Sequence, residues 1–173
     1  MKIKTALIAT GLALAGIGMQ AQAGTASGSF NVTASVVPSC KVVSTADIAF
    51  GNYDPADANN TTALDAAGNV TVRCTKNTPA AVTLNQGNNA AAGSTCAAPS
   101  RQMADSGSNR LGYAIYKDAS RTQAWGCDAT NQASFTSAGI ASPATLDTYG
   151  RIPAGQDVPA GSYSDTVAVT VTF

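Results

Sequence analysis

The sequence of 173 residues contains no histidine and no glutamate, so all ten of its acidic residues are aspartate. The absence of histidine excludes catalysis by a histidine base and any histidine-rich metal site. Among enzyme mechanisms, a glycosidase-like pair of aspartates is the one that this composition best accommodates. We nevertheless expect a protein that is not an enzyme, because no nucleophile, phosphate-binding or metalloprotease motif is present.

Large apolar side chains are also scarce. The hydrophobic fraction is 45%, but 34 of those residues are alanine. Apolar spacing typical of an amphipathic helix does not occur after the first 23 residues. The composition therefore disfavours a helix-rich protein or a large-core enzyme and favours one modest extracytoplasmic β domain.

The first 23 residues have the features of a secretory signal peptide. Lys2 and Lys4 give a positive start, an apolar run covers residues 6–19, and Ala21-Gln22-Ala23 matches a small-x-small cleavage site. The alternative is a transmembrane anchor, which the short run, rich in alanine and glycine, disfavours. We therefore predict a signal peptide at residues 1–23.

The chain that remains after cleavage carries 8 basic and 10 acidic residues, a net charge of −2. This balance argues against nucleic acid or an anionic membrane surface as a partner. Export also predicts that the four cysteines are paired, because exported chains form disulfide bonds.

Cys40, Cys74, Cys96 and Cys127 predict two disulfide bonds, for which three pairings are possible. We favour Cys40–Cys74 and Cys96–Cys127, because each pair flanks a segment predicted to be strand or loop. The alternative is a metal site, but the spacings contain no CxxC motif and no histidine could complete a zinc shell.

Alternation of apolar and polar residues predicts two half-buried strands. Near the N-terminus the apolar positions are Phe30, Val32, Ala34 and Val36, and near the C-terminus they are Val167, Val169, Val171 and Phe173. Shorter candidate strands cover residues 47–50, 69–74, 81–84, 111–116, 133–135 and 146–152. Residues 54–68 and 85–100 are predicted loops. Short strands at about ten-residue spacing favour a single antiparallel β-sandwich.

The two alternating segments have complementary features. The predicted last strand, residues 163–173, has no charge or proline after Asp165 to protect an exposed edge. Residues 26–36, if extended, reach about 36 Å, enough to run the length of a sandwich. In the simpler interpretation they are the first strand of their own domain. In the second interpretation they insert into a neighbouring copy and pair with its exposed edge.

Several segments also occur in a distinctive order along the chain. They are an alternating strand leading to the first cysteine (30–40), DIAFGNYD (47–54), VTVRC (70–74), LGYAIYKD (111–118) followed by Arg121-Thr122, and GSYSDTVAVTVTF (161–173). Together they resemble the spore coat protein U domain family, and specifically the archaic (Csu-type) chaperone–usher pilin subunits. The resemblance implies an all-β fold, an incomplete immunoglobulin-like antiparallel β-sandwich that lacks its last strand, with an N-terminal donor strand.

The resemblance also implies how such a fold is completed. A periplasmic chaperone lends a strand, which the N-terminal strand of the next subunit replaces at an outer-membrane usher. By position, residues 24–36 are the donor segment and residues 37–173 the sandwich domain. The inserting side chains would be Phe30, Val32, Ala34 and Val36, and the acceptor edge would contain Val167, Val169, Val171 and Phe173. The family's first disulfide corresponds to Cys40–Cys74, whereas Cys96–Cys127 is a departure from the family pattern.

The function implied is that of a structural subunit of a cell-surface pilus, exported through the periplasm, that supports adhesion or biofilm formation. Its partners would be identical or related subunits, the chaperone and the usher, with no cofactor. A single domain favours a shaft or adaptor subunit over a tip adhesin. The alternatives are a self-contained secreted carbohydrate-binding sandwich, a spore-coat-like surface protein and an aspartate-only glycosidase.

Two further sites are conceivable from the residues alone. Asp54, Asp57 and Asp65 offer oxygen ligands for calcium, although aspartate in turns usually caps the backbone. Trp125 is either a sugar-stacking residue on the surface or, as we expect, a buried residue that packs near a disulfide.

Overall fold

The computed structural model describes residues 22–173, so all but the end of the predicted signal peptide lies outside the described residues. Eight strands form the fold, and no helix occurs among these residues. The strands are β1 (Cys40–Ala46), β2 (Leu64–Cys74), β3 (Pro79–Leu84), β4 (Arg101–Ala104), β5 (Arg110–Tyr116), β6 (Ala133–Thr136), β7 (Ala144–Ile152) and β8 (Val169–Thr172). Within residues 22–173, the structure contains no helix of the length and apolarity that crossing a membrane requires.

The strands form two antiparallel sheets. One has five strands in the order β1-β2-β7-β5-β4, and the other has three in the order β6-β3-β8. Alternate residues of both sheets point into one core, which is the arrangement of a β-sandwich. The predicted all-β antiparallel sandwich is therefore confirmed.

The core is small and built from the alternating positions that the sequence indicated. Its buried aliphatic residues are Val70 and Val72 of β2, Val82 and Leu84 of β3, Leu111 and Ile115 of β5, and Ile152 of β7. Trp125 is the largest fully buried side chain, and its Nε1–H donates to the Val82 carbonyl at 2.9 Å. Trp125 thus belongs to the core, and the alternative of a sugar-stacking surface residue is wrong.

Two disulfide bonds join Cys40 to Cys74 and Cys96 to Cys127, the pairing favoured from the sequence. The first ties the start of β1 to the end of β2. The second ties the long β3–β4 connection to the segment after Trp125, where the Cys127 N–H also donates to the Cys96 carbonyl. The first bond therefore fixes the edge strand β1, and the second fixes a long connection that contains no strand.

The sandwich is open along one side, between β1 and β8. In the sheet order β1 has only β2 as a neighbour and β8 has only β3, and no strand of residues 22–173 lies between the two. This arrangement is the incomplete immunoglobulin-like sandwich that was predicted.

Residues 47–50, predicted to be a strand, are irregular in the structure. Their apolar side chains, Ile48 and Phe50, pack instead on Gly150 of β7, where a Cβ atom would lie 2.6 Å from Ile48 Cγ2 and 2.7 Å from Phe50 Cζ. The missing side chain of Gly150 therefore lets this segment fold over the core as a loop.

Other boundaries also differ from the predictions. β2 begins at Leu64, so the predicted loop 54–68 is shorter, and only residues 169–172 of the predicted strand 163–173 are paired as a strand. Strands β1 and β4 were not predicted. Neither has clean alternation, because β1 contains a bulge between Val42 and Ser44 and β4 buries the charged Arg101.

The N-terminal segment, residues 22–35, is described by itself. It forms no strand, and the side chains of Phe30 and Val32 are 86% and 84% exposed. Val36, the next apolar position in the alternation, is 84% exposed. The simpler interpretation, in which this segment is an ordinary half-buried strand of its own domain, is therefore wrong.

Candidate functional site

The open side of the sandwich forms a groove, which we call the lateral groove. Its walls are residues 45–55 and residues 158–169, and its floor is made by residues of β2, β3, β5 and β7. Two cavities lie along it, an inner one of about 450 Å³ that reaches Val169 and an outer one of about 680 Å³ that reaches Val158. Both are lined by Phe50, Met103 and Tyr163, so they are sections of one continuous groove.

The wall formed by residues 163–171 has strict alternation. The odd-numbered side chains are half-buried and the even-numbered ones are exposed. The half-buried positions are Tyr163, Asp165, Val167, Val169 and Val171, of which all but Asp165 pack against the core. Phe173, the last residue proposed for the acceptor edge, is 55% exposed.

Within residues 22–173, the backbone hydrogen bonds of this wall all lie on one edge. Ser164 exchanges two hydrogen bonds with Ala104, and the carbonyls of Thr166 and Ala168 accept from the N–H groups of Asn88 and Asn85. Successive residues of an extended strand direct their backbone groups to opposite sides. The odd-numbered residues therefore direct theirs towards the groove.

On that side, the backbone groups of Asp165 and Val167 find no backbone partner among residues 22–173. An edge of this kind, beside a row of apolar side chains, is what an added strand requires. The geometry can thus supply both main-chain hydrogen bonds and side-chain pockets to an extended segment.

Asp165 interrupts the apolar row with a polar pair. Its Oδ2 accepts a hydrogen bond of 2.6 Å from the Tyr113 hydroxyl on the floor, and its Oδ1 accepts from the N–H groups of Asn88 and Asn89 at 2.9 and 3.2 Å. Gly87 makes this possible, since it has a φ of 79° and a Cβ there would collide with the Asp165 carboxylate. We call the contact between wall and floor the Asp165–Tyr113 bridge.

The environment of the bridge favours the neutral phenol. Burial raises the pKa of Tyr113 well above its usual range, and the hydrogen bond to the Asp165 carboxylate raises that pKa further. At ordinary pH the Tyr113 hydroxyl therefore keeps its proton and donates it to the hydrogen bond with Asp165.

Arg101 supports the segment that bonds the wall on the edge away from the groove. It is only 2% exposed, and its guanidinium donates to the carbonyls of Leu84, Asn85 and Trp125 at 2.6–3.1 Å. Burial lowers the pKa of this guanidinium. Asn85 in turn bonds Ala168 through its backbone N–H and through its Oδ1. Sequence reasoning missed Arg101, because an isolated arginine carries no pattern that marks it as buried.

A second polar group is buried beside the inner cavity. Thr148 of β7 lines that cavity, and its Oγ1 has no hydrogen-bond partner within residues 22–173. Buried hydroxyls nearly always have a partner. The Thr148 hydroxyl is therefore an available polar contact on the groove floor.

Two of the three aspartates considered for calcium serve other purposes. Asp54 Oδ1 caps the backbone N–H groups of Ala56 and Asp57, while Asp65 forms a bidentate ion pair with Arg151 at 2.7 and 2.8 Å. The hydrogen bond from Arg151 lowers the pKa of Asp65. The part of the chain that the structure describes contains no cluster of side chains able to hold a metal ion.

Comparison with known proteins gives matches over nearly the whole chain. The model of the Spore Coat Protein U domain matches residues 26–170. "Protein U" of Myxococcus xanthus is 39% identical over 178 residues, which cover 99% of this chain and 98% of that protein. Among solved structures, the CsuC–CsuE chaperone–tip adhesion subunit pre-assembly complex from archaic chaperone–usher Csu pili of Acinetobacter baumannii matches with 26% identity and a TM-score of 0.49. That match covers 80% of this chain and 40% of the matched chain.

Proposed function

The chain belongs to the Spore Coat Protein U domain family, and from this we propose that it is a structural subunit of a cell-surface chaperone–usher pilus. In this function the N-terminal segment of one copy, residues 24–36, inserts into the lateral groove of the next copy. The inserting side chains are Phe30, Val32, Ala34 and Val36, and the receiving edge contains Val167, Val169, Val171 and Phe173.

The observation that carries this proposal is the one-sided bonding of residues 164–168 beside an apolar groove. The exposed Phe30 and Val32 have the alternation needed to occupy such a groove. Burying a large apolar side chain contributes about 1.5–3 kcal/mol, and each new main-chain hydrogen bond about 0.5–1.5 kcal/mol net. A strand enclosed in a cooperative core is also released slowly, so the fibre would be kinetically stable.

The same features explain why partners are needed before assembly. An open edge flanked by exposed apolar side chains is an aggregation hazard in any subunit that has not yet joined the fibre. We therefore propose a periplasmic chaperone as the temporary occupant of the groove and an outer-membrane usher as the place of exchange. The predicted signal peptide, residues 1–23, would deliver the chain to the periplasm, and the assembled fibre would support adhesion or biofilm formation.

Charge placed at the two proposed contact rows tests this function. Val32→Asp or Val169→Asp should abolish polymerisation, because each buries an unpaired carboxylate in the joint. Thr33→Asp and Thr170→Asp are the matched controls, since these neighbours have the opposite parity and should leave fibres intact. Fibre formation is measured by electron microscopy and by the size of heat-resistant oligomers on gels.

Removal of the donor segment gives the complementary result. A chain without residues 24–36 should remain monomeric or bound to its chaperone. If that shortened chain still forms fibres of normal length, the segment is not the joint and the proposed function is wrong. A spore-coat-like assembly, which the family's name suggests, would use the same joint and would be distinguished by where the polymer is found.

A further inference from the structure

The lateral groove also specifies which residue of the inserted segment lies beside which residue of the wall, an inference that rests on the proposed function. We propose that the segment, inserted antiparallel to β8, occupies a single register that places Ala34 beside the Asp165–Tyr113 bridge. In this register Phe30 lies beside Val169, Val32 beside Val167 and Val36 beside Tyr163. Asp165 is then the residue that determines the register.

The direction follows from where the chain enters the sandwich. β1 begins at Cys40, which is bonded to Cys74 at the end of β2, and β3 begins only five residues later at Pro79. These residues therefore lie at one end of the sandwich, which we call the pole of Cys40. Because β8 is antiparallel to β3, with Thr172 opposite Ala81, β8 ends at this same pole. The outer cavity lies at the opposite pole, near Ile152, which pairs with the first residue of β2.

An antiparallel segment leaves the groove at the pole of the outer cavity. The body of the incoming copy then sits at one pole, while the receiving copy's own chain enters its sandwich at the other. Such a head-to-tail contact can repeat without closure and gives a filament. A parallel segment would bring both to the pole of Cys40, where the incoming body would meet the place at which the receiving chain enters its own sandwich.

The register follows from the sizes of the side chains. The Asp165–Tyr113 bridge connects wall and floor and so narrows the groove at this point, where the smallest member of the inserting row, Ala34, fits best. Phe30, the largest member, then reaches the inner cavity of about 450 Å³ beside Val169. Val36 reaches the junction of both cavities at Tyr163.

The flanking residues agree with this register. The same spacing places Gly28 beside Val171 and Ala26 beside Phe173. At this end the inner cavity has closed, since neither Val171 nor residues 40–44 line it. Two of the smallest residues of the segment, Ala26 and Gly28, thus lie beyond the cavity, where no pocket is available for a large side chain.

The end of the groove supplies an independent check. In the proposed register Cys40 of the incoming copy comes level with Pro159, at the last residues that line the outer cavity. A shift of four residues towards β8 would draw that Cys40 level with Tyr163, inside the groove, where a folded body cannot fit. A shift of two residues would place Val36 against the carboxylate of Asp165.

Disulfide trapping in fibres of the full chain measures the register directly. Three double variants are compared: V32C/V167C for the proposed register, and V32C/V169C and V32C/V171C for shifts of two and four residues. Disulfides need Cα atoms about 4.4–6.8 Å apart, which directly opposite residues satisfy, whereas a two-residue offset separates them by about 7–8 Å. The expected result is a ladder of covalent multimers on non-reducing gels for V32C/V167C alone, with positions 32 and 167 joined in the mass spectrum.

The outcomes separate this inference from the proposed function. A ladder in V32C/V169C or V32C/V171C instead would overturn the register and keep the function. Normal fibres with no ladder in any of the three would overturn the register, and the chain without residues 24–36 then decides the function: fibres from that shortened chain would overturn it as well. Absence of fibres from the unmodified chain would overturn the function itself.

A size series at position 34 covers the case in which the cysteine variants do not fold. Ala34 is exposed in the single chain, so its substitution leaves the sandwich domain unchanged. Ala34→Leu should prevent polymerisation and Ala34→Gly should permit it, while Ser35→Leu, of opposite parity, is the matched control. Normal fibres from Ala34→Leu would show that Ala34 does not face the bridge.

Discussion

At the scale of single residues, the Asp165–Tyr113 bridge combines a structural and a selective role. It ties the wall of the lateral groove to the floor, with Asn88 and Asn89 completing the hydrogen bonds of the carboxylate. The polar pair costs apolar contact area in a part of the wall that is otherwise formed by the half-buried side chains of Tyr163, Val167 and Val169. That loss is offset if the pair excludes wrong registers, because a strand shifted by two residues would bury a valine against a carboxylate.

The bridge also makes the fold sensitive to alkaline pH. The pKa of Tyr113 is raised in the folded chain by burial and by the Asp165 carboxylate, whereas an unfolded tyrosine ionises near pH 10. The stability that depends on the neutral phenol is therefore complete below about pH 10 and is lost progressively as the pH rises above it. Unfolding in denaturant at pH 8 to 11 should show this loss in the free energy of unfolding.

Tyr113→Phe is the matched variant for that experiment. It keeps the buried ring but removes the ionising hydroxyl, so its free energy of unfolding should start lower and fall less steeply above pH 10. Equal slopes for the two proteins would show that Tyr113 does not carry the alkaline sensitivity.

At the scale of elements, the sequence predicted strands well where one face is buried and the other is solvated. β2 and β5 alternate clearly, and their apolar residues Val70, Val72, Leu111 and Ile115 are buried as expected, whereas β6 and β7 show weaker patterns. β1 and β4 were not predicted, because their pairing depends on the neighbouring strands rather than on alternation in their own sequences. Residues 47–50 have the composition of a strand. Their position depends instead on contacts with Gly150, which lies about 100 residues away in sequence and has no side chain to obstruct Ile48 and Phe50.

The candidate site was predictable only in part, for the same reason. The parity of Val167, Val169 and Val171 is visible in the sequence, because period-two alternation is a local property. The contribution of Asp165 is not, since it depends on Tyr113 and on the loop around Gly87, about 50 and 80 residues away along the chain. The position of Arg101 likewise depends on three carbonyls from two separate segments, Leu84-Asn85 and Trp125.

The second disulfide is the element-scale feature whose removal is most informative. Cys96–Cys127 closes a separation of 31 residues and restrains the connection that includes Asn85 to Asn89, the residues that hold the groove wall. The double variant C96S/C127S should lose about 3 kcal/mol in the free energy of unfolding, measured in denaturant. Faster hydrogen exchange is expected at the amides of Ser164 and Ala168, whose partners lie next to or within this connection.

C40S/C74S is the comparison for that experiment. It removes a bond of similar loop length that ties β1 to β2, away from residues 164–168. Its stability loss should be similar, but exchange at Ser164 and Ala168 should stay slow. Equal acceleration in the two variants would contradict a specific link between Cys96–Cys127 and the groove wall.

At the scale of the whole molecule, the proposed joint requires each copy to carry an open groove and an exposed segment that fits the groove of another. Several exposed large apolar residues belong to the segment or the chain just after it, among them Phe30, Val32, Val36 and Val37. Large apolar side chains on a free surface are usual at interaction sites and costly elsewhere. A chain that fills its own groove should therefore be more stable than the open chain and unable to polymerise.

A fusion realises this closed state. The native residues 24–36 are removed, and a copy of residues 24–38 is appended after Phe173 through a short glycine-rich linker. The proposed register places Ala26 beside Phe173, so a linker of about four residues suffices for the hairpin that an antiparallel insertion needs. Burial of one phenylalanine and two valines at about 1.5–3 kcal/mol each should raise the melting temperature by about 10 °C or more.

Variants within the appended copy distinguish filling of the groove from a general effect of added chain. The change Val32→Asp, made in the appended copy, should return the melting temperature to that of the chain lacking residues 24–36. The change Thr33→Asp in the same copy, of opposite parity, should preserve the gain. If both changes are neutral, the appended segment lies outside the groove, and the stability of the sandwich does not depend on a strand beside β8.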